Sequence, residues 1–452
     1  MKKHTLAIVS VLALVGLIVT ACAQPTPEVV EVTRVVTETE EVEVTKEVVT
    51  EVEVTKEVEK IVEVEKELEP VEIVLWTKEG EADGGLQFVQ SLADAYTAEH
   101  PNVTFEVTNK DVETLREDFL TAGLAGAMPD LLWTVNDHAG PFTDAQLVMA
   151  TDDMFDLSKY VGSALAAVQL GEKTWGVPIS NGNHLMLLYN KDLIEEAPMD
   201  TDEMIEKGLE LTTGDQYGLV YNQTEPFWLV PWLGGFQGAV FAPDGKTPTL
   251  STPEMVNTLQ FLYDIKYTTP IIPAESDYDG ADTLFKEGKA AMIINGDWSL
   301  GGYKDLLGDK LGVARIPMVS ATEQWPHPYT SGVYFMLPVS LEEASEAKME
   351  AVKGFIGFVT NATNQALMVA KLNRLPALEV ALDDPLIAND PILKGSADQM
   401  TVGTPMPTVS EMRCNWDAMK PEMGAVLADT KAPADAAADM QAAADNCVAT
   451  LD

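Results

Sequence analysis

Apolar and polar positions take up the periods of folded elements at Val71. Before that point, from Glu28 to Glu69, valines alternate with glutamates and threonines, and EVEVTKEV occurs at 41–48 and again at 51–58. Alternation is the period of a strand, but this one has no core to cover. Its 15 Glu against 5 Lys plus Arg also repel along any straight face. Valines recur at longer spacings too (Val35, Val42, Val49), which is the competing helical or coiled-coil reading. Neither period persists. The stretch reads as an acidic, extended stalk, with self-association through the valines as the alternative.

From Val71 the pattern becomes regular. Val71–Trp76 predicts a strand, Thr77–Gly85 a loop, Leu86–His100 a helix, Val103–Val107 a strand, Val112–Ala125 a helix and Asp130–Thr134 a third strand. Alternating strands and helices predict a parallel sheet covered on both faces. Two apolar runs between Thr174 and Asn190 are joined by Ser180-Asn181-Gly182-Asn183, a polar link at which a chain can pass between bodies and bend. A second unit follows from Lys191 to Tyr221, through the aromatic segment Glu225–Phe241, an Asp244-Gly245 turn and a helix at Pro253–Tyr267. It culminates in Leu284–Leu300. There Ala290–Ile294 reads as a buried parallel strand, the chain turns at Asn295-Gly296, and Trp298 follows at once. This places an indole at the carboxyl edge of a sheet, where open α/β folds keep their ligand crevice; a core aromatic capping a helix is the alternative. Leu311–Met318 then carries the chain back, and Val333–Val339 adds a strand to the first unit. Leu341–Leu372 forms two helices, Asn373–Ala377 crosses a third time, and an alanine-rich helical tail joins the second unit.

With 452 residues there is room for two or three domains. The 72 acidic against 29 basic residues, a net charge of -43, argue against nucleic acid or an anionic membrane surface as partner and permit a neutral ligand. Histidines are scattered singly, and no metal-ligand spacing, nucleophile elbow or phosphate loop occurs, so no metal or cofactor is expected. At the start, Lys2 and Lys3 precede an apolar run, Leu6–Val19, that is short for a membrane span. Small residues at Val19-Thr20-Ala21-Cys22 complete a targeting signal over 1–21.

Several of these segments carry a family resemblance. FKEGKAAMIINGDW at 285–298 resembles the signature of extracellular solute-binding proteins of the maltose and maltodextrin type, the receptors of ABC sugar importers. MPDLLWTVNDHAG at 128–140, Glu225-Pro226-Phe227-Trp228, Met406-Pro407 and Met412–Trp416 resemble other segments of that group. The resemblance implies an α/β, two-lobed periplasmic-binding-protein-like fold (type II), preceded by a signal peptide and an extended stalk at 22–70. The first lobe would be 71–181 and 315–376, the second 182–314 and 377–452, closing on each other about a hinge. The implied partners are an oligosaccharide and the transmembrane subunits of an ABC permease. Val19–Cys22 also resembles a bacterial lipobox, which implies that Cys22 becomes the mature first residue and ties the protein by a lipid to the outer face of a membrane. Cys414 and Cys447 are then an even pair in a compartment that permits disulfides, and one bridge between the last helices is expected; two buried free thiols are the alternative.

A sugar presents apolar C–H faces and a rim of hydroxyls, so its site needs flat aromatic platforms with fixed donors and acceptors. By resemblance, Trp298 and Trp416 are platforms, Met406 packs beside the second, Phe227 stacks in place of the usual tyrosine, and Glu225 and Asp137 accept hydroxyls. Lys78 and Glu81 follow the first strand. His138 stands where an arginine is usual, Thr134 replaces a tryptophan platform, and Asn183 falls near the hinge glutamate. These departures suit a shorter or differently shaped sugar of the maltose, maltodextrin or trehalose kind. Trp228, Trp232 and Trp325 read as packing. Two other classes compete. A lipid-anchored glycoside hydrolase needs two carboxyls across the scissile bond, whereas Glu225 and Asp137 would lie on opposite lobes. A structural surface protein accounts for the stalk but not for the repeated crossings.

Overall fold

The computed structural model describes residues 68–81, 84–382 and 385–451. The targeting signal, Cys22 and the stalk as far as residue 67 lie outside the described residues. Val71–Thr77 has the alternation of a strand whose buried face is Val71, Ile73, Leu75 and Thr77. It pairs in parallel with Val103–Asn109 on one side and Leu131–Val135 on the other. The sheet continues with Tyr329–Met336 and Val177–Gly182 and ends at Leu375–Pro376, each antiparallel to its predecessor or to the strand it joins. The expected parallel sheet is therefore mixed: Tyr329–Met336, returning from the second unit, runs antiparallel to Leu131–Val135, and Leu375–Pro376 runs antiparallel to Val177–Gly182. Val112–Ala125 starts where Asp111 accepts the N–H groups of Glu113 and Thr114 at 3.1 and 3.4 Å, and stops at Gly126, whose φ of 66° suits glycine. Trp133, Phe335, Phe355 and Val352 pack under this sheet.

The second sheet has the order Leu311–Ala314, Leu185–Asn190, Ala290–Gly296, Tyr217–Tyr221. Ala290–Gly296 is buried along its whole length, since it lies between two strands, parallel to Tyr217–Tyr221 and antiparallel to Leu185–Asn190. Helix Pro253–Tyr267 shares the apolar core on one side of it, opened by Thr252, whose hydroxyl accepts the Met255 N–H at 3.2 Å, and by Pro253 at the first helical position.

Three crossings join the two sheets. The first is Gly182-Asn183, between Val177–Gly182 of one sheet and Leu185–Asn190 of the other. The second lies later than residue 315. Leu311–Ala314 pairs with Leu185–Asn190, Ile316 and Val319 sit in the second core, and the His327 N–H donates to the Pro231 carbonyl at 3.0 Å. The chain rejoins the first sheet only at Tyr329. The third crossing is also later than residue 377, because Ala377 belongs to the first core and Leu378 bridges to Tyr160. All of this forms one compact unit from Pro70 onward.

Two long helices, Glu411–Leu427 and Pro433–Val448, close the second core against Pro253–Tyr267. A disulfide between Cys414 and Cys447 ties them, with Cα atoms 5.5 Å apart and a sequence separation of 33. Opening a loop of this length is expected to cost about 2–4 kcal/mol, mostly by freeing the unfolded chain. Chemical denaturation with and without reductant checks it, and an unchanged midpoint contradicts it.

Candidate functional site

The buried strand Ala290–Gly296 delivers Trp298 into a short 3-10 turn, Asp297–Ser299, which the Ser299 hydroxyl closes by donating to the Gly296 carbonyl at 2.7 Å. The strand runs on through Asn295-Gly296, so the turn falls one step later than the sequence pattern predicts. Gly296 is the seat of the indole. A Cβ there would lie 2.2 Å from the Trp298 ring, so only glycine lets the ring fold back over its own strand. The Trp298 Nε1–H donates to the Tyr278 hydroxyl at 3.0 Å.

Phe227 lies between the two tryptophans. It stands on the 3-10 turn Pro226–Trp228, where buried Trp228 donates its indole N–H to the Ile294 carbonyl at 2.8 Å and pins that turn to the central strand. The Phe227 ring centroid is 6.2 Å from Trp298 and 6.3 Å from Trp416. Trp416, in the second turn of Glu411–Leu427, also meets Tyr329 edge-on at 6.1 Å. All three rings are half-buried, so their remaining faces are open. Met406 is buried in the core beneath, beside Met412 and Tyr329. Trp228 and Trp232 are buried, and Trp325 packs under the Arg315 guanidinium at 5.1 Å.

Polar groups of the first sheet face this row. Asp137 follows strand Leu131–Val135, and its Oδ2 accepts the Trp416 Nε1–H at 3.3 Å, so the two halves touch here. Its Oδ1 is buried with no hydrogen-bond partner among the described residues. Burial pushes the Asp137 carboxyl up to about 6, against the pull of the Arg116 guanidinium and the Trp416 hydrogen bond. Lys78 Nζ stands 5.8 Å from the Trp298 ring centroid and 3.4 Å from Glu79. Burial lowers its pKa, and Glu79 opposes that shift. Half-buried Glu225 forms an ion pair with Lys420. Glu113, paired with Arg116 at 2.8 Å, is pushed up to about 7, first by burial and then by the negative charges of Asp137 and Glu225.

Three expected ligand groups are placed otherwise. His138 is 1 % exposed, shares a 2.8 Å hydrogen bond between its Nδ1 and the Thr134 hydroxyl, and packs on Phe142. Burial pulls its pKa down to about 3, so it is a neutral core residue and not a stand-in for a ligand-facing arginine. Asn183 is buried at the first crossing, where its backbone N–H donates to Asp297 Oδ2 at 3.2 Å. Glu81 is exposed in the loop after the first strand and has no contact with the aromatic row among the described residues. Several residues of the site carry no motif. Tyr278, Tyr329, Glu113 and the buried pair Glu79–Arg374 are brought in by tertiary packing, and only the Asn-Gly step before Trp298 hints at the seat that Gly296 provides.

Residues 91–395 match the family described as bacterial extracellular solute-binding protein. The chain belongs to that family. Its α/β fold is the two-lobed fold of periplasmic binding proteins. The maltose/maltodextrin-binding domain MalE from Bdellovibrio bacteriovorus, solved bound to maltotriose, superposes with a TM-score of 0.80 at 35 % identity, over 84 % of this chain and 100 % of that one. A maltotriose-binding protein of Pyrococcus abyssi is 28 % identical over 80 % of this chain and 78 % of its own length. A maltooligosaccharide ABC transporter solute-binding lipoprotein of Streptococcus pneumoniae is 24 % identical over 75 % of this chain and 80 % of its own.

Proposed function

We propose that this chain is the sugar-capturing component of an ABC importer and that it takes up a maltooligosaccharide of about three units between its lobes. The observation that carries this reading is the row Trp298, Phe227, Trp416 on one lobe, faced by Asp137 and Lys78 on the other. The row spans two centroid steps of 6.2 and 6.3 Å, room for a short oligosaccharide whose apolar faces lie on the rings. The relatives named for maltotriose and maltooligosaccharides support the same choice. Asp137 offers a desolvated oxygen to a sugar hydroxyl, and satisfying it stabilises the closed form by a contact the open form lacks. Cys22 carries the lipid that holds the exported protein at the membrane, and the closed face delivers the sugar to the permease subunits.

Calorimetric titration of the protein with maltose, maltotriose, trehalose and longer maltodextrins, with product analysis of the same samples, tests this. Saturable maltotriose binding without released sugar is expected; hydrolysis products would make the chain a glycosidase, and heat from no sugar would end the reading.

The Asp137 carboxyl gives this proposal a pH signature. Its pKa is raised in the fold, so its ionised form costs stability at neutral pH, and that cost declines as pH falls below about 6 and is gone only below the ordinary value of 3.8. Ligand binding runs the other way, because the sugar hydroxyl needs the ionised acceptor. Affinity is expected to drop by about tenfold between pH 7.5 and pH 5, and Asp137→Asn to flatten the curve. Glu113 titrates near 7, so the comparison with Asp137→Asn at each pH isolates Asp137. A wild-type profile as flat as the variant's contradicts the assignment.

A further inference from the structure

The turn that carries Trp298 is held by the first chain crossing on one side and by the first lobe on the other. On one side Asp297, 3 % exposed, accepts the Asn183 N–H at 3.2 Å through Oδ2, and its own N–H donates to the His184 carbonyl at 3.2 Å. Asn183 sits at φ 46° and Gly182 at φ 139°; a Cβ on Gly182 would lie 2.5 Å from Asp297 Oδ2, so this crossing is folded tightly around that carboxylate. On the other side Arg374, 2 % exposed in the first lobe just before strand Leu375–Pro376, donates from both terminal nitrogens to the Glu79 oxygens at 2.8 Å. Its Nη2 also reaches the Trp298 carbonyl at 3.5 Å. Glu79 in turn accepts the Trp133 indole N–H at 3.1 Å and lies 3.4 Å from Lys78, the cation above the Trp298 ring.

A three-residue turn holds a ring poorly by itself, whereas a bidentate guanidinium–carboxylate pair fixes direction as well as distance. We infer that Asp297 and Arg374 are positioning residues, which clamp the Trp298 turn to the first crossing and to the first lobe so that hinge closure also sets the tilt of the indole against the ligand. Neither touches the sugar. The inference deepens the sugar-capture reading and rests on it for the ligand, though not for the ring's orientation. Crossing residues absorb the backbone rotation of closure, and a left-handed asparagine bonded to Asp297 is a backbone poised for such a change.

Two readouts on the full protein test this. In a thermodynamic cycle, Asp297→Ala is expected to raise the maltotriose Kd about tenfold when Trp298 is present and less than twofold in a Trp298→Ala background. Asp297→Asn, which keeps an oxygen to accept the Asn183 N–H, is expected to recover most of the affinity. For Arg374, the paired variant Glu79→Gln/Arg374→Met avoids an orphaned buried carboxylate and is expected to follow the same pattern. The second readout needs no ligand. With 5-fluorotryptophan labelling, the Trp298 fluorine line, assigned through Trp298→Phe, is expected to shift or broaden in Asp297→Ala and in the paired variant, and to return in Asp297→Asn. An unmoved Trp298 line, or an equal loss of affinity with and without Trp298, overturns the inference. Should the wild type fail to bind maltotriose, the sugar reading falls alone and the fluorine line decides the positioning role.

Discussion

Replacing Trp298 and Trp416 together by alanine is expected to weaken maltotriose binding by about a hundredfold or more. Each indole offers one flat face, and stacking of this kind is worth about 1–3 kcal/mol per ring, taking the scale from bases stacked on aromatic side chains. Both rings also border Phe227, at 6.2 and 6.3 Å, so removing one loosens the support of the platform between them. The two losses are therefore expected to differ from a simple sum. The fold is expected to survive, since both tryptophans are only half-buried and lie at the edge of the second core. Calorimetry on the single and double variants, with thermal melting as the control, reads the effect. A double variant within fivefold of wild type contradicts the platform role.

The second large effect concerns stability. Glu79 is 2 % exposed and carries the charge that Arg374 and Lys78 share. Burial alone would hold its carboxyl above the ordinary carboxylate value, but Arg374 and then Lys78 outweigh it, and the group is held far below. Glu79→Ala leaves two cations buried without their partner, and a loss of about 3–5 kcal/mol in unfolding free energy is expected. Because the folded pKa is depressed, the contribution is complete above the ordinary value of 4.5 and is lost as pH falls below it. The gap between wild type and Glu79→Gln is therefore expected to be constant from pH 8 to about 5.5 and to narrow only in stronger acid. Denaturant melts across that range check both the size and the window; a gap already closing at pH 6.5 would assign the stability to another group.

Much of this architecture was legible before any coordinate. The helix boundaries at Val112–Ala125 and Pro253–Tyr267 follow from a capping Asp111, a closing Gly126 and the Thr252-Pro253 start, all local signals. Trp298 was legible because a wholly apolar run ends beside it, and Trp416 and Phe227 through short segments resembling known receptors. The misplacements share a cause. Leu311–Ala314 falls in the second lobe as expected, but the crossing set at 315 comes too early, since Ile316 and Val319 would look the same in either core. His138 follows Asp137 directly, yet the short turn sends one side chain to Trp416 and the other to Thr134. Glu79 reads as one more charge in a polar loop, because its partner Arg374 is 295 residues away. Local pattern reports which residues can be buried, and long-range pairing decides which of them become a site.

The account stands on the sugar lying against the aromatic row. A crystal structure of the protein grown with maltotriose is the most direct measurement. The predicted result is the trisaccharide between the lobes, its faces on Trp298, Phe227 and Trp416, with a hydroxyl within about 3 Å of the Asp137 carboxylate. A sugar bound elsewhere, or lobes closed upon each other with the row unoccupied at saturating maltotriose, would contradict it.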